Sequence, residues 1–218
     1  METIKQCNIC ESTEFTDFLE IQDYFLTKEK FNLIQCKKCK FVFVNPRPNV
    51  NKIALYYDSP SYISHSGSNK GIINWGYKKI RNFTHYNKYK LICKYSLGKT
   101  LLDIGCGSGE LLYLFKKNKW DTLGIEPNDF ARTFSRKQYG LNVFNENEIE
   151  NISTSSKDVI TMWHVLEHVH DLNKRLSDIK RILKKDGVIF IAVPNIESFD
   201  AKWYQKYWAA YDVPRHLY

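Results

Sequence analysis

The stretch TLLDIGCGSGELLYLF at 100–115 limits the fold more than any other part of the chain. A short apolar run, TLLDI, meets a turn holding Gly105, Gly107 and Gly109, and ELLYLF then opens a helix. Glycines at alternate positions let the backbone take positive φ and come close to a ligand. A second apolar run, DTLGI, follows and ends in Glu126, roughly 20 residues past the glycines. Strand, glycine turn, helix, strand and terminal acid, in that order, predict the opening unit of a parallel sheet.

The alternation continues to residue 192. Asp129 is placed to cap a helix FARTFSRKQY that stops at Gly140. LNVF reads as a third strand and DVITMWHV as a fourth. Asp171 is the expected cap of DLNKRLSDIKRILKK, where Leu172, Leu176, Ile179 and Leu183 mark one face. Gly187 should end that helix, and VIFIAV should be the fifth strand. The fold class is therefore α/β, a doubly wound Rossmann-like sheet.

Ahead of this lies a different kind of segment. Four of the six cysteines fall into two tight pairs, Cys7-x-x-Cys10 and Cys36-x-x-Cys39. Without a secretory signal, such spacing argues for four thiolates on structural zinc. Residues 1–48 read as a small zinc ribbon, with FTDFLEIQ, FNLIQ and FVFV as short strands. A module this small needs the metal to fold. Knuckles of this kind favour glycine after the second cysteine, whereas Glu11 and Lys40 stand there. Cys93 and Cys106 are expected to be ordinary buried residues.

The G-x-G-x-G spacing has no pyrophosphate to cradle, and it favours S-adenosylmethionine (SAM) over a dinucleotide. LLDIGCGSGELL, GIEPN, KDVITMWHVLEHVHD, RILKKDGVIFIAVPN and DVPRHLY together resemble the class I SAM-dependent methyltransferases over about residues 98–218. With the CNIC…CKKCKFVFVNPRP head, the chain is similar to bacterial methyltransferases that carry an N-terminal zinc-binding module. The resemblance implies that Asp103, Gly105 and Gly107 line the methionine part of SAM and that Glu126 holds the ribose. Cys106, Pro127 and His164 complete the expected cofactor set, and the loop NENEIEN should face the adenine. The family fold has two further strands, so this chain, ending at Tyr218, is expected to lack them.

WHVLEHVH at 163–170 follows the fourth strand, where ligands bind in such sheets. A hydroxyl acceptor must lose a proton, and an imidazole suits that work near neutral pH. His164 is the first candidate base, followed by His168 and His216, while His65, His85 and His170 are expected to be solvent-facing or structural. His164, Glu167 and His168 are spaced i, i+3, i+4 and would share a helical face able to hold one divalent cation. Some ubiquinone-pathway O-methyltransferases and small-RNA 2′-O-methyltransferases bind a metal through Glu-x-x-Glu-His at this place, the RNA enzymes adding a downstream histidine whose counterpart would be His216. The contrary expectation is a turn in which Glu167 only caps.

Between ribbon and sheet, residues 49–97 hold a polar loop, SHSGSNKG, and helical spacing from Ile72 to Tyr95, which suggests a lid. Tyr56, Tyr57 and Tyr62 either fill a core or stack on a ligand, and Trp203, Trp208 and Tyr211 pose the same choice. The three expected segments are thus 1–48, 49–97 and 98–218. Net charge is 32 − 24 = +8, but the lysines are scattered, which argues against one nucleic-acid-binding block. No apolar signal core or membrane span is visible, so a cytoplasmic location is the expectation. The leading reading is O-methylation of a small molecule or glycan, using SAM and zinc. The alternatives are an RNA 2′-O-methyltransferase with a divalent metal, a non-catalytic zinc-ribbon protein binding RNA or protein, and an NAD-dependent oxidoreductase, which the glycine spacing disfavours.

Overall fold

The computed structural model describes residues 1–57 and 72–218, with side chains from residue 79 onward in the second stretch. The SHSGSNKG segment, Tyr62 and His65 lie outside the described residues. The chain separates into two compact units. One comprises Met1–His65, Leu166–Asn173 and Val193–Tyr218, and the other Ser66–Val165 and Lys174–Ala192.

In the first unit, β1 (Phe15–Gln22), β2 (Lys30–Cys36) and β3 (Val42–Val44) pair antiparallel in that order. The turn after β1 is built on Asp23, whose carboxylate accepts the N–H groups of Phe25, Leu26 and Thr27 at 2.9–3.2 Å. Ile21, Phe31, Leu33, Val42 and Val44 are buried together with Tyr56, Tyr211 and Val213. The tail is thus part of the ribbon's core. The Val44 N–H donates to the Leu217 carbonyl at 2.9 Å, and the Leu217 N–H donates to the Glu167 carbonyl at 2.7 Å. Arg215, only 2% exposed, donates to Asp23 at 3.1 Å, to Asp212 at 2.6 Å and to the Tyr56 carbonyl at 3.0 Å. A buried guanidinium is tolerated because these acceptors satisfy its donors. Tyr56, Trp208 and Tyr211 therefore take the core role, whereas Trp203 is 70% exposed.

In the second unit, α1 (Ile72–Tyr95) matches the predicted helix and leads into β4 (Thr100–Ile104). Then come α2 (Glu110–Lys117), β5 (Asp121–Ile125), α3 (Asp129–Tyr139), β6 (Val143–Phe144), β7 (Lys157–Trp163), α4 (Leu172–Ile182) and β8 (Leu183–Ala192). The five strands are parallel in the order β6-β5-β4-β7-β8. Leu101 and Leu102 are both buried, as are Val159 and Ile160, because helices cover both faces of a parallel sheet. Strand order reverses between β4 and β7, so the ligand crevice of such a sheet opens at their carboxyl ends.

Three local expectations are corrected. Asn128, not Asp129, caps α3: its side chain accepts the Ala131 N–H at 2.9 Å, while Asp129 opens the helix and pairs with Arg132. Gly140 closes that helix at φ 61°, as its sequence position suggests. The helix α4 stops at Ile182, and Gly187 lies inside β8, because Leu183 already pairs with Lys157 of β7. Its buried face is Leu172, Arg175, Ile179 and Ile182, with Leu176 turned outward. Arg175 holds that place by pairing with Glu146 while its stem packs inward. Lastly, Cys93 is exposed and Cys106 only half-buried. Among the described residues no helix is long and apolar enough to cross a membrane.

Candidate functional site

At the strand-order reversal, Asp103 sits near the end of β4 and Glu126 follows β5, both nearly fully buried. The Glu126 carboxylate accepts the Gly107 N–H at 2.8 Å through one oxygen and the Asn128 N–H at 2.9 Å through the other. Each oxygen keeps lone pairs for ribose hydroxyls. The loop behind it is braced by Arg132, which donates to the Glu126 carbonyl at 2.8 Å and the Pro127 carbonyl at 2.6 Å. Gly105 has φ 73°, and a Cβ there would lie 2.3 Å from the Val165 side chain. Gly107 has φ 54°, and a Cβ there would enter open space, which is the room a ligand needs. The two buried acids and this open cradle fit the ribose and amino-acid ends of SAM.

Asp103 accepts the Thr161 hydroxyl of β7 at 2.6 Å. Burial pushes its carboxyl up to about 7, against the Thr161 hydrogen bond and the Lys88 ammonium, which favour the ionised form. Burial likewise raises the Cys106 thiol, with Asp103 and Glu126 adding to it, which favours the protonated thiol. His164 directly follows β7; it holds φ 57° and donates its N–H to the Ala192 carbonyl at 2.9 Å. A left-handed histidine at a strand end marks local backbone strain of the sort found at functional positions. Burial pushes the His85 imidazole down to about 4, so it is neutral at pH 7.

Sequence reasoning missed one pairing at this site. Lys88 of α1 places its ammonium 4.0 Å from the centre of the Trp163 ring, at the end of β7. One lysine among many scattered ones carries no motif, and only the fold brings it to Trp163.

In the first unit Cys7, Cys10, Cys36 and Cys39 converge. Sγ–Sγ separations are 3.6 Å for Cys7–Cys39 and 3.5 Å for Cys10–Cys36. Tetrahedral zinc with Zn–S of about 2.3 Å requires about 3.8 Å between sulfurs, so the set fits that ion. Glu11 and Lys40 take φ 60° and 64°, and their N–H groups close the two turns onto the carbonyls of Cys7 and Cys36. The glycine conformation is present without glycine. Backbone N–H groups, that of Cys39 foremost, hold the Cys36 thiol down to about 6, while burial and the neighbouring thiols push Cys39 up to about 12, so without a metal the cluster shares its protons unevenly.

The same unit brings Glu167, His168 and His216 together, one ligand atom of each lying within 4.8 Å of the others. The rings of His168 and His216 meet edge to face at 4.6 Å. His168 Nδ1 lies 3.0 Å from the Arg215 carbonyl and 2.8 Å from the Tyr57 hydroxyl, and His216 Nδ1 lies 2.7 Å from the Ala210 carbonyl. Carbonyls at both Nδ1 positions select Nδ1–H tautomers, in which Nε2 carries the lone pair a metal binds. Burial lowers the His168 pKa, and His216 lowers it further, which favours the neutral imidazole a metal binds. His170 instead approaches the Pro48 carbonyl at 3.0 Å and serves structure.

The model of a family described as a methyltransferase domain matches residues 91–217. A ubiquinone biosynthesis O-methyltransferase of Actinobacillus pleuropneumoniae serotype 7 is 34% identical over 110 residues, covering 45% of this chain and 47% of that protein. An uncharacterized protein of Methanocaldococcus jannaschii is 28% identical over 152 residues, covering 66% of this chain and 59% of its own length. This chain therefore spans about half the length of relatives it matches. A SAM-dependent methyltransferase from Archaeoglobus fulgidus, solved by crystallography, shares the fold with a TM-score of 0.51 at 22% identity, over 68% of this chain and 67% of that one. The matched residues make up more than half of the chain and include Asp103, the glycine turn, Glu126 and His164, and the chain belongs to the methyltransferase-domain family.

Proposed function

We propose that this chain transfers a methyl group from SAM to an oxygen of a small molecule or glycan. One observation carries the reading: Glu126 is held by the Gly107 and Asn128 N–H groups beside an open glycine cradle at the point where strand order reverses. Bound SAM supplies a methyl on a positively charged sulfur, already activated for in-line displacement. The protein's part is alignment and proton removal. Glu126 accepts the ribose hydroxyls, and Asp103 faces the amino-acid end. Gly105 and Gly107 let the backbone approach. The His164 imidazole takes the acceptor's hydroxyl proton as the new O–C bond forms and the S–C bond breaks. An oxygen acceptor is supported by the relative named for O-methylation in ubiquinone biosynthesis. The four cysteines hold structural zinc in this reading.

Calorimetric titration of SAM and S-adenosylhomocysteine into the chain, beside Glu126→Ala, is the test. Micromolar binding that weakens in the variant supports the reading, and absence of binding by the wild type refutes it. A second reading rests on Glu167, His168 and His216. A divalent cation on these three would supply Lewis-acid activation of a hydroxyl, as a 2′-O-methyl transfer to RNA would need. Manganese binding that survives His164→Ala but not His168→Ala/His216→Ala would favour it.

A further inference from the structure

The net charge of +8 is spread along the sequence, but the fold gathers part of it where α1 meets α2. Residues 79–95 of α1 hold Lys79, Arg81, Lys88, Lys90 and Lys94 and no acid. The facing helix, α2, contributes Glu110, Lys116 and Lys117, and Glu110 is already paired with Arg81 at 2.6 Å. Between the two helices lies a groove of about 450 Å³, within the ordinary size range of ligand sites. Its lining shares no residue with Asp103, the glycine turn or Glu126.

Tyr86 of α1 and Tyr113 of α2 both line this groove. Tyr139, at the end of α3, backs Tyr113, the ring centroids 4.5 Å apart and the planes 23° from parallel. Each of the first two rings has an exposed lysine beside it. Lys90 Nζ lies 4.7 Å from the Tyr86 centroid, and Lys117 Nζ lies 5.4 Å from that of Tyr113. An ammonium on an exposed ring is held weakly, and its stem is flexible. It can swing to a neighbouring phosphate and leave the ring face to a base. Asn82 and His85, also in the lining, offer groups that both give and accept hydrogen bonds, as the edge of a base requires. Flat rings interleaved with lysines are the elements of single-strand recognition. An acidic peptide would use the lysines but not the ring faces.

We propose that the groove between α1 and α2 seats a base of a single-stranded nucleic acid, stacked on Tyr86 and Tyr113, while Lys90 and Lys117 meet the adjoining phosphates. The site stands apart from the crevice at the strand-order reversal, and the binding needs no cofactor. It therefore stands or falls separately from the SAM reading. A duplex is a poor occupant, because its bases are already stacked on one another and offer no free face.

The experiment is fluorescence anisotropy of a 5′-fluorescein-labelled decaadenylate RNA with the full chain, without SAM. The wild type should bind the oligomer, and an unlabelled duplex of equal length should compete about tenfold less well or worse. Tyr86→Ala should weaken binding about fivefold or more, and Tyr86→Phe should not, since the phenyl ring keeps the stacking face. Lys90→Gln/Lys117→Gln should weaken binding and flatten the slope of log affinity against log salt by about 1.4, from two phosphates at about 0.7 each. Lys202→Gln/Lys206→Gln, an equal loss of exposed charge in the first unit, should do neither. Thermal unfolding checks that each variant folds, and Tyr86→Leu replaces Tyr86→Ala if that one does not. Equal losses in the two double variants would show general charge attraction and overturn the proposal. So would full binding by Tyr86→Ala, competition by polyglutamate as strong as by the unlabelled oligomer, or a wild type that does not bind the RNA.

Discussion

Replacing Asp103 by asparagine should change the pH dependence of stability by a calculable amount. The Asp103 carboxyl is fully buried and titrates at about 7, against an ordinary value of 3.8. A folded pKa raised above the unfolded one means that the native state binds the proton more tightly. The associated stability is complete below pH 3.8 and is lost as pH rises through 7. Within that window the loss is about 1.4 kcal/mol per pH unit, which gives about 2.5 kcal/mol between pH 5 and pH 8. The amide oxygen of the variant can still accept the Thr161 hydroxyl, so that contact is kept and the side chain carries no charge at any pH. Urea unfolding of wild type and Asp103→Asn, without cofactor, at pH 5, 6, 7 and 8 measures the effect. The two proteins share every other titrating group, so the difference between them isolates this one. The variant should gain on the wild type by about 2.5 kcal/mol across the series, with most of the change between pH 5 and 7. A difference that stays flat within about 0.5 kcal/mol would show that Asp103 ionises normally, and the account of its burial would fall.

Glu126→Ala should weaken SAM binding by about 100-fold, since two ribose hydroxyl bonds to a carboxylate are lost, and calorimetry reads this directly. Gly105→Ala should destabilise the second unit and abolish SAM binding together, because an added Cβ would sit 2.3 Å from Val165 at φ 73°. Arg215→Met should cost about 3–5 kcal/mol in urea unfolding by leaving Asp23 and Asp212 without their shared guanidinium, and Asp23→Asn in the same background should recover part of it. The purified chain should carry one zinc, released by chelation or by Cys36→Ser, with a fall in the unfolding temperature of the first unit; a metal-free chain of unchanged unfolding temperature would refute the zinc ribbon.

The sheet and its glycine turn were readable because each residue there answers to a local rule. Strands buried on both faces read as apolar runs, a turn at positive φ reads as glycine, and an acid after β5 has a fixed place. Rules of equal weight separate less well. Asn128 and Asp129 are both good caps, and only the bond to the Ala131 N–H decides between them. Leu176 and Arg175 show the limit of apolar spacing, since the ion pair with Glu146 turns arginine inward and leucine outward. The knuckles show the reverse case, where Glu11 and Lys40 adopt a glycine-like φ that their side chains do not announce. The Lys88–Trp163 contact was invisible because it joins residues far apart in the sequence, a long-range fact. The tail's place in the ribbon core was equally hidden: Val44 and Leu217 are joined by one backbone bond across most of the sequence.

That last contact bears on how the protein is made. A ribosome delivers the chain from its first residue, so Asp23 and the inner face of β3 leave the exit tunnel long before Arg215 and Leu217 exist. At synthesis rates of roughly 5–20 residues per second, the interval is on the order of ten seconds or more. Through that interval the ribbon has its cysteines in hand but not its closing segment. An ion captured early by the four thiolates would keep the nascent hairpins in register until the tail arrives, and the unit would be sealed by residues translated long after it began to form.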